Sequence, residues 1–172
     1  MMIDFILGGA RSGKSKMAEQ RALESQKQVV YVATAQIGDN EMASRIEHHK
    51  QTRPQHWHTI EEPINLAKII KQQDKPNSLI LVDCLTLWLS NLLLSDDDSL
   101  FEREKNAFLS QLECIQYSDI ILVSNETGLG VVPMGELSRR FVDESGWLHQ
   151  RLGQLSNRVT LSVAGLPHIL KS

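Results

Sequence analysis

The segment that most narrows what this chain can fold into is Gly8-Gly9-Ala10-Arg11-Ser12-Gly13-Lys14-Ser15, a complete G-x-x-x-x-G-K-[ST] pattern. An apolar run, Met2 to Leu7, precedes it, and a stretch rich in Ala, Glu, Lys and Gln, Lys14 to Ser25, follows it. That is a strand, a turn and a helix, the context in which such a loop cradles phosphate. Small residues let the backbone wrap the oxygens, and N–H groups with the helix N-terminus supply partial positive charge. Lys14 should reach the β- and γ-phosphates, and the Ser15 hydroxyl should ligate Mg²⁺ or a similar ion. The competing explanation is an accidental glycine-rich turn, which the flanking strand and helix argue against.

The rest of the chain repeats the alternation. Continuous apolar runs at Val29–Ala33, Leu79–Val82, Ile120–Val123 and Val159–Val163 read as buried strands. Helical stretches are expected at Asn40 to about Gln51, from Pro63 (with Ile64, Ala67 and Ile70 inward), at Leu85–Leu94, up to about Ile115 and from about Gly135 to Leu152. The fifth strand is expected to close the chain before Ala164-Gly165-Leu166-Pro167. Apolar strands alternating with helices predict an α/β fold with a mainly parallel sheet covered on both faces. The 172 residues, 41% of them hydrophobic, suit one domain spanning 1–172. Cys84 and Cys114 read as reduced thiols of a cytoplasmic protein. A net charge of −3 argues against a nucleic-acid surface. Neither a membrane span nor a signal peptide is expected.

Leu79-Ile80-Leu81-Val82-Asp83 ends an apolar strand on a carboxylate, the placement of a metal-facing aspartate, although Asp also ends strands as a turn former. Arg45, His49 and Arg53 are four apart and share one helical face spanning ~12 Å. Two guanidiniums hold an imidazole toward its neutral, nucleophilic form and can neutralise a phosphoryl group under attack. A solvated helix face is the bland alternative. His48 points elsewhere. His56 and His58 flank Trp57 and read as surface or packing residues. After the Ile120–Val123 strand, Asn125 and Glu126 fall where open α/β sheets bind ligands. Arg139, Arg140 and Asp143 on the next helix could frame an anion, or simply be exposed.

These pieces taken together resemble a family. GGARSGKS at 8–15, YVATA at 31–35 and EMASRIEHHKQTRPQHW at 41–57 are the first of them. TIEEP at 59–63, LVDCLTLWLSNLL at 81–93, VSNETGLGVVP at 123–133, LSRRFVDESGWLHQRL at 137–152 and VAGLP at 163–167 follow in order. The chain resembles the bifunctional adenosylcobinamide kinase / adenosylcobinamide-phosphate guanylyltransferase family of cobalamin biosynthesis. The resemblance implies a RecA-like P-loop fold and a two-step reaction. A nucleoside triphosphate, ATP or GTP, first phosphorylates adenosylcobinamide. GTP then guanylylates the adenosylcobinamide phosphate through a guanylyl-histidine, releasing pyrophosphate. It implies His49 as the nucleophile, with His48 the alternative, and Lys14 as a catalytic cation. It also implies nucleotide contacts at the loop and at Ala33, Thr34, Ala35, Lys50, Gln51, Thr52, Arg53, Glu61 and Asp83. The metal, Mg²⁺ or Mn²⁺, would fall to Ser15 and Asp83, and the assembly would be a homotrimer. His149 stands where the family pattern expects Asn, and Ser156-Asn157 where it expects Ala-Asp. A simple small-molecule kinase, a RecA-like ATPase acting on DNA and a non-catalytic nucleotide sensor are the rival readings. A regulatory GTPase is not, because the chain lacks N-K-x-D.

Overall fold

The computed structural model describes residues 1–35, 54, 56–97 and 99–172 of the chain. One seven-stranded sheet runs through them in the order β3-β2-β4-β5-β1-β6-β7. The strands are β1 (Ile3–Gly8), β2 (Gln28–Ala33), β3 (His58–Glu61), β4 (Ser78–Asp83), β5 (Asp119–Asn125), β6 (Arg158–Val163) and β7 (Leu166–Lys171). The helices are α1 (Lys14–Glu24), α2 (Leu66–Gln73), α3 (Leu85–Leu93), α4 (Leu100–Cys114) and α5 (Glu136–Leu155). Strands β1 to β6 are mutually parallel, and only β7 pairs antiparallel, against β6.

The apolar runs become central strands because each must bury both of its faces. Phe5, Val30, Val32, Ile80, Val82, Ile120 and Leu122 point to one face, where Leu66 and Ile70 of α2, Trp88 of α3, Phe108 of α4 and Leu148 of α5 cover them. Ile6, Tyr31, Leu81, Ile121 and Val123 point to the other, against Ala18 and Ala22 of α1 and against Trp57. Ala18 and Ala22 lie one turn apart, and their small size lets α1 sit close on the sheet beside the loop that precedes it. Trp88 is fully buried, its ring centroid 4.9 Å from that of Phe108, and its indole N–H donates to the Ile64 carbonyl at 2.7 Å.

Three expectations are corrected. The helix placed from Pro63 begins at Leu66, because the Glu62 carboxylate accepts the N–H groups of Ile64 and Asn65 and holds those residues in a turn. Its buried residues are therefore Leu66, Ile69 and Ile70. Strand β3 adds a strand beyond the five apolar runs: alternation about Trp57 allows an extended segment there, but its four residues HTIE hold no fully buried side chain, so no apolar run marks them. The chain also does not close at β6. Ala164 and Gly165, with φ of 52° and 79°, form a tight hairpin turn that returns it as β7. Every residue of β7 is exposed and one is Pro167, which an edge strand tolerates and an inner strand does not. The helix expected at Asn40 to Gln51 lies outside the described residues.

The apolar reading of β1 missed Asp4, which is wholly buried inside it. Its carboxylate accepts two hydrogen bonds from one Arg21 nitrogen, at 2.9 and 2.8 Å, and another from Arg158. Arg21 also donates to Thr160 at 3.0 Å. One carboxylate thus ties α1, β1 and β6 together behind the phosphate loop. Removing one member of a buried ion pair strands the others. Asp4→Asn is therefore expected to destabilise the protein by about 3 kcal/mol, measured as the shift in denaturant midpoint.

Candidate functional site

Parallel pairing puts the carboxyl ends of β1 to β6 on one edge. Gly8 sits opposite both Asn125 and Ser162, and Ala33 opposite both Asp83 and Glu61. Strand β5 lies between β1 and β4, so the Asp83 strand is two strand spacings, ~10 Å, from the loop strand. The edge therefore collects the glycine loop, Asp83, Ala33 to Ala35, Glu61 and Glu126, which are far apart in sequence.

The loop is shaped from within and braced from the chain's far end. Ser12 N–H donates to the Gly9 carbonyl at 3.2 Å. The Ser12 carbonyl accepts the Ser162 hydroxyl and the Gly165 N–H, both at 2.8 Å. Gly13 takes φ 92°, and a Cβ there would stand 3.0 Å from Gly165 Cα. The first turn of α1 carries no acid and opens with Lys14, a cation where the helix dipole disfavours one. A bound anion would reverse that cost. The Ser12 hydroxyl is buried against Gly8 without a hydrogen-bond partner among the described residues, a donor left available to a phosphate oxygen.

Lys14 is buried, 8% exposed, and its ammonium donates to the Gly9 carbonyl at 3.0 Å. Burial pushes its pKa down, and the charges of Cys84 and Asp83 oppose that shift. Burial also raises the Cys84 thiol to about 11, so at neutral pH the opposing charge is that of Asp83. The Tyr31 hydroxyl donates to Asp83 Oδ2 at 2.9 Å, fixing the carboxylate across the β2–β4 pair. Lys14 and the oriented Asp83 carboxylate thus stand within electrostatic reach of each other at one end of the sheet, with Ser15 next to Lys14 in the first turn of α1, a set of groups able to hold a polyphosphate and a hard cation.

Thr34 is placed differently from a simple ligand contact. It is fully buried; its hydroxyl donates to the Cys84 carbonyl at 2.6 Å and accepts the Cys84 N–H at 2.9 Å. Its carbonyl accepts Asn91 Nδ2 at 2.9 Å. Thr34 therefore locks the ends of β2 and β4 together, and Ala33 and Ala35 flank that lock. Glu61 ends β3 in register with Ala33. His48, His49, Lys50, Gln51, Thr52 and Arg53 lie outside the described residues. His56 and His58 are exposed, with Trp57 buried between them against Tyr31 at 6.4 Å. Arg139, Arg140 and Asp143 are exposed on α5, where Arg140 lies over the Phe101 ring at 5.6 Å.

Sequence reasoning missed three contributors. Ser162 and Gly165 brace the loop from β6 and the turn after it, and no local pattern shows that contact. Tyr31 sits inside an apolar run, and only the β2–β4 register aims its hydroxyl at Asp83.

The fold and the edge define the class: a RecA-like P-loop protein, mostly parallel, with one strand between the loop strand and the aspartate strand. Two solved structures carry the same fold at low identity. A prototypical ATPase from the type III secretion system of pathogenic bacteria aligns at TM-score 0.59 and 12% identity, over 98% of this chain and 56% of that one. This chain thus spans about half the length of that ATPase. The RadB recombinase aligns at TM-score 0.52 and 16% identity, over 93% of this chain and 73% of its own. Residues 4–170 match the family described as cobinamide kinase / cobinamide phosphate guanyltransferase. The bifunctional adenosylcobalamin biosynthesis protein CobP of Pseudomonas aeruginosa is 57% identical over 172 residues, covering 99% of this chain and 98% of its own. CobU of Escherichia coli, with the same description, is 38% identical over 177 residues, covering 96% and 97%. The chain belongs to the cobinamide kinase / cobinamide phosphate guanyltransferase family, and it is a bifunctional enzyme of that kind. No helix among the described residues is long and apolar enough to cross a membrane.

Two outcomes follow from the geometry. Gly13→Ala puts a side chain in the left-handed region and against Gly165, so it should cost about 1–2 kcal/mol and weaken nucleotide binding, read by denaturation and calorimetry. His149, on α5, has a pKa lowered by burial, which the nearby Glu126 charge partly offsets, from an ordinary value of 6.5. Its stabilising contribution is complete above that value, where both folded and unfolded forms hold it neutral. It declines as pH falls below it, because the unfolded chain takes up the proton first. Melting temperatures at pH 7.5 and 5.5 should therefore converge in His149→Leu relative to the parent.

Proposed function

We propose that the carboxyl edge carries both half-reactions of the family on one nucleotide site, in a single domain spanning residues 1–172. The observation that carries this reading is that Lys14, at the end of the glycine cradle, feels the charge of the Tyr31-oriented Asp83, with Ser15 beside Lys14 in the first turn of α1. Gly8 to Ser15 wraps the triphosphate of ATP or GTP, and Lys14 neutralises charge as the γ-phosphoryl group moves to the adenosylcobinamide hydroxyl. The Ser15 hydroxyl and the Asp83 carboxylate are hard oxygen donors that suit Mg²⁺ or Mn²⁺. Such an ion, when bound there, supplies further charge neutralisation on the phosphates. Ala33, Ala35 and Glu61 line the neighbouring strand ends, with Thr34 holding them in place, and Lys50 to Arg53 complete the guanine-nucleotide contacts.

The second half-reaction uses His49. Its neutral imidazole attacks the α-phosphorus of GTP, and the bond from that phosphorus to the pyrophosphate oxygen breaks. Arg45 and Arg53 offset the developing charge. The phosphate of adenosylcobinamide phosphate then displaces the histidine, giving adenosylcobinamide-GDP. Strand β2, the last described strand before His49 in the sequence, ends at Ala33 on the same edge as the phosphate loop, which supports access of His49 to the nucleotide. A homotrimer in the cytoplasm fits the exposed apolar side chains that follow Glu126. Leu129, Val131, Val132 and Met134 are 69–96% exposed, more than a lone surface favours.

The reading is tested with GTP labelled at the α-phosphate. Parent protein should acquire acid-labile, alkali-stable label, His49→Ala should acquire none, and His48→Ala should be labelled as the parent is. An unlabelled parent that still phosphorylates cobinamide would reduce the enzyme to a simple kinase.

A further inference from the structure

Behind the phosphate loop lies a relay of polar side chains that the scheme above does not use. The Ser124 hydroxyl and His149 Nε2 are 2.9 Å apart, and His149 Nδ1 lies 3.8 Å from Glu126 Oε2. The other Glu126 oxygen, Oε1, accepts the Gly128 N–H at 2.5 Å. Thr86 on α3 meets Ser124 at 3.3 Å and accepts the Asn125 N–H at 2.7 Å. Ser145 reaches His149 Nε2 at 3.4 Å, and the Phe5 ring packs against the imidazole at 5.5 Å. Three elements, α3, β5 and α5, thus commit polar groups to one carboxylate. Ser124 and Ser145 are 0% and 1% exposed, so the relay costs desolvation that apolar packing would avoid.

The carboxylate at the end of this relay faces the reaction edge. The Glu126 N–H donates to the Gly8 carbonyl at 3.0 Å, anchoring the residue to the first residue of the phosphate loop. Its side chain keeps 20% of its surface exposed while that of His149 keeps 10%, so the relay is closed behind and open in front. Among the described residues, Glu126 is the titratable group facing His149; Ser124, Ser145 and Phe5 complete its surroundings.

We infer that Glu126 is the carboxylate that receives the acceptor hydroxyl in the kinase half-reaction, and that His149 is its positioning residue. This rests on the assignment of the γ-phosphoryl transfer to this edge. As the acceptor oxygen bonds the γ-phosphorus, the bond from that phosphorus to the β–γ bridging oxygen breaks, and nucleoside diphosphate leaves with the electron pair. The hydroxyl proton passes to Glu126 Oε2 and from there to water. With Ser124 donating to Nε2, the Nδ1–H dipole of His149 faces Oε2 from 3.8 Å and keeps that oxygen turned toward the acceptor. The guanylyl half-reaction begins from a phosphate that is already ionised and needs no such base.

The test separates the two half-reactions in the full-length protein. One assay follows γ-phosphoryl transfer from ATP or GTP to cobinamide. The other follows label from α-labelled GTP into protein and then into cobinamide phosphate. Glu126→Gln should lower the kinase kcat by about 100-fold or more, with nucleotide KM little changed and guanylyl transfer falling far less. His149→Leu should lower the kinase kcat by roughly tenfold, and His149→Asn, which keeps a donor, should recover much of it. Kinase turnover of Glu126→Gln within about threefold of the parent would overturn the assignment. So would an equal loss of both half-reactions in protein that still binds nucleotide, or a His149→Asn enzyme no better than His149→Leu. If the parent takes no label, the histidine scheme fails, yet the kinase assay still reads the role of Glu126.

Discussion

Parallel strand register is the constraint on which the rest of this protein depends. Six strands run the same way, so their carboxyl ends share one edge, and the phosphate loop, Asp83 and Glu61 stand there together. A one-residue slip of β4 against β2 would turn Asp83 to the opposite face and part it from the Tyr31 hydroxyl. Burial enforces the register, since each central strand packs apolar side chains on both faces and a slip would exchange both sets at once.

Two polar devices refine what the apolar core begins. Asp4 with Arg21 and Arg158 fixes β1, α1 and β6 beneath the loop, and Thr34 with Cys84 fixes the ends of β2 and β4. The Asp4 carboxylate and the Thr34 hydroxyl at their centres are buried and hydrogen-bonded, the condition under which buried polarity specifies an arrangement rather than weakening it. A third, the Asp74 carboxylate, accepts the N–H groups of Gln116, Tyr117 and Ser118 ahead of β5. Burial alone would raise its pKa, but those three donors outweigh it and hold the carboxylate ionised. These devices lie at strand ends, where hydrophobic packing alone leaves the chain's direction undecided.

The site joins a preformed cradle to catalytic groups brought from elsewhere. The loop can hold phosphates by itself, because its donors are backbone groups and the start of α1. Chemistry requires more: an oriented carboxylate at Asp83, a cation at Lys14 and groups to handle the acceptor. Lys14 comes with the loop, and the others come from the ends of different strands. Membership of the cobinamide kinase / cobinamide phosphate guanyltransferase family supplies the reaction, and the carboxyl edge is the place proposed for it.

The sequence by itself determined the phosphate loop, the alternation of buried strands with helices and the aspartate at the end of β4. Those features are local: a motif, a continuous apolar run and a residue next to one. Four-residue spacing predicted the histidine helix and the family resemblance its role, and those residues lie outside the described structure. Tertiary structure decided what depends on pairing across distance. It placed β7 after a two-residue turn and showed β3, whose half-exposed residues carry no periodic signal. It aimed Tyr31 at Asp83, buried Asp4 between two arginines, and turned Thr34 inward as a lock. It also brought Ser162 and Gly165 against Ser12, and His149 between Ser124 and Glu126. Long-range partners leave no trace in local composition, because a side chain's role there is fixed by which strand lies beside it.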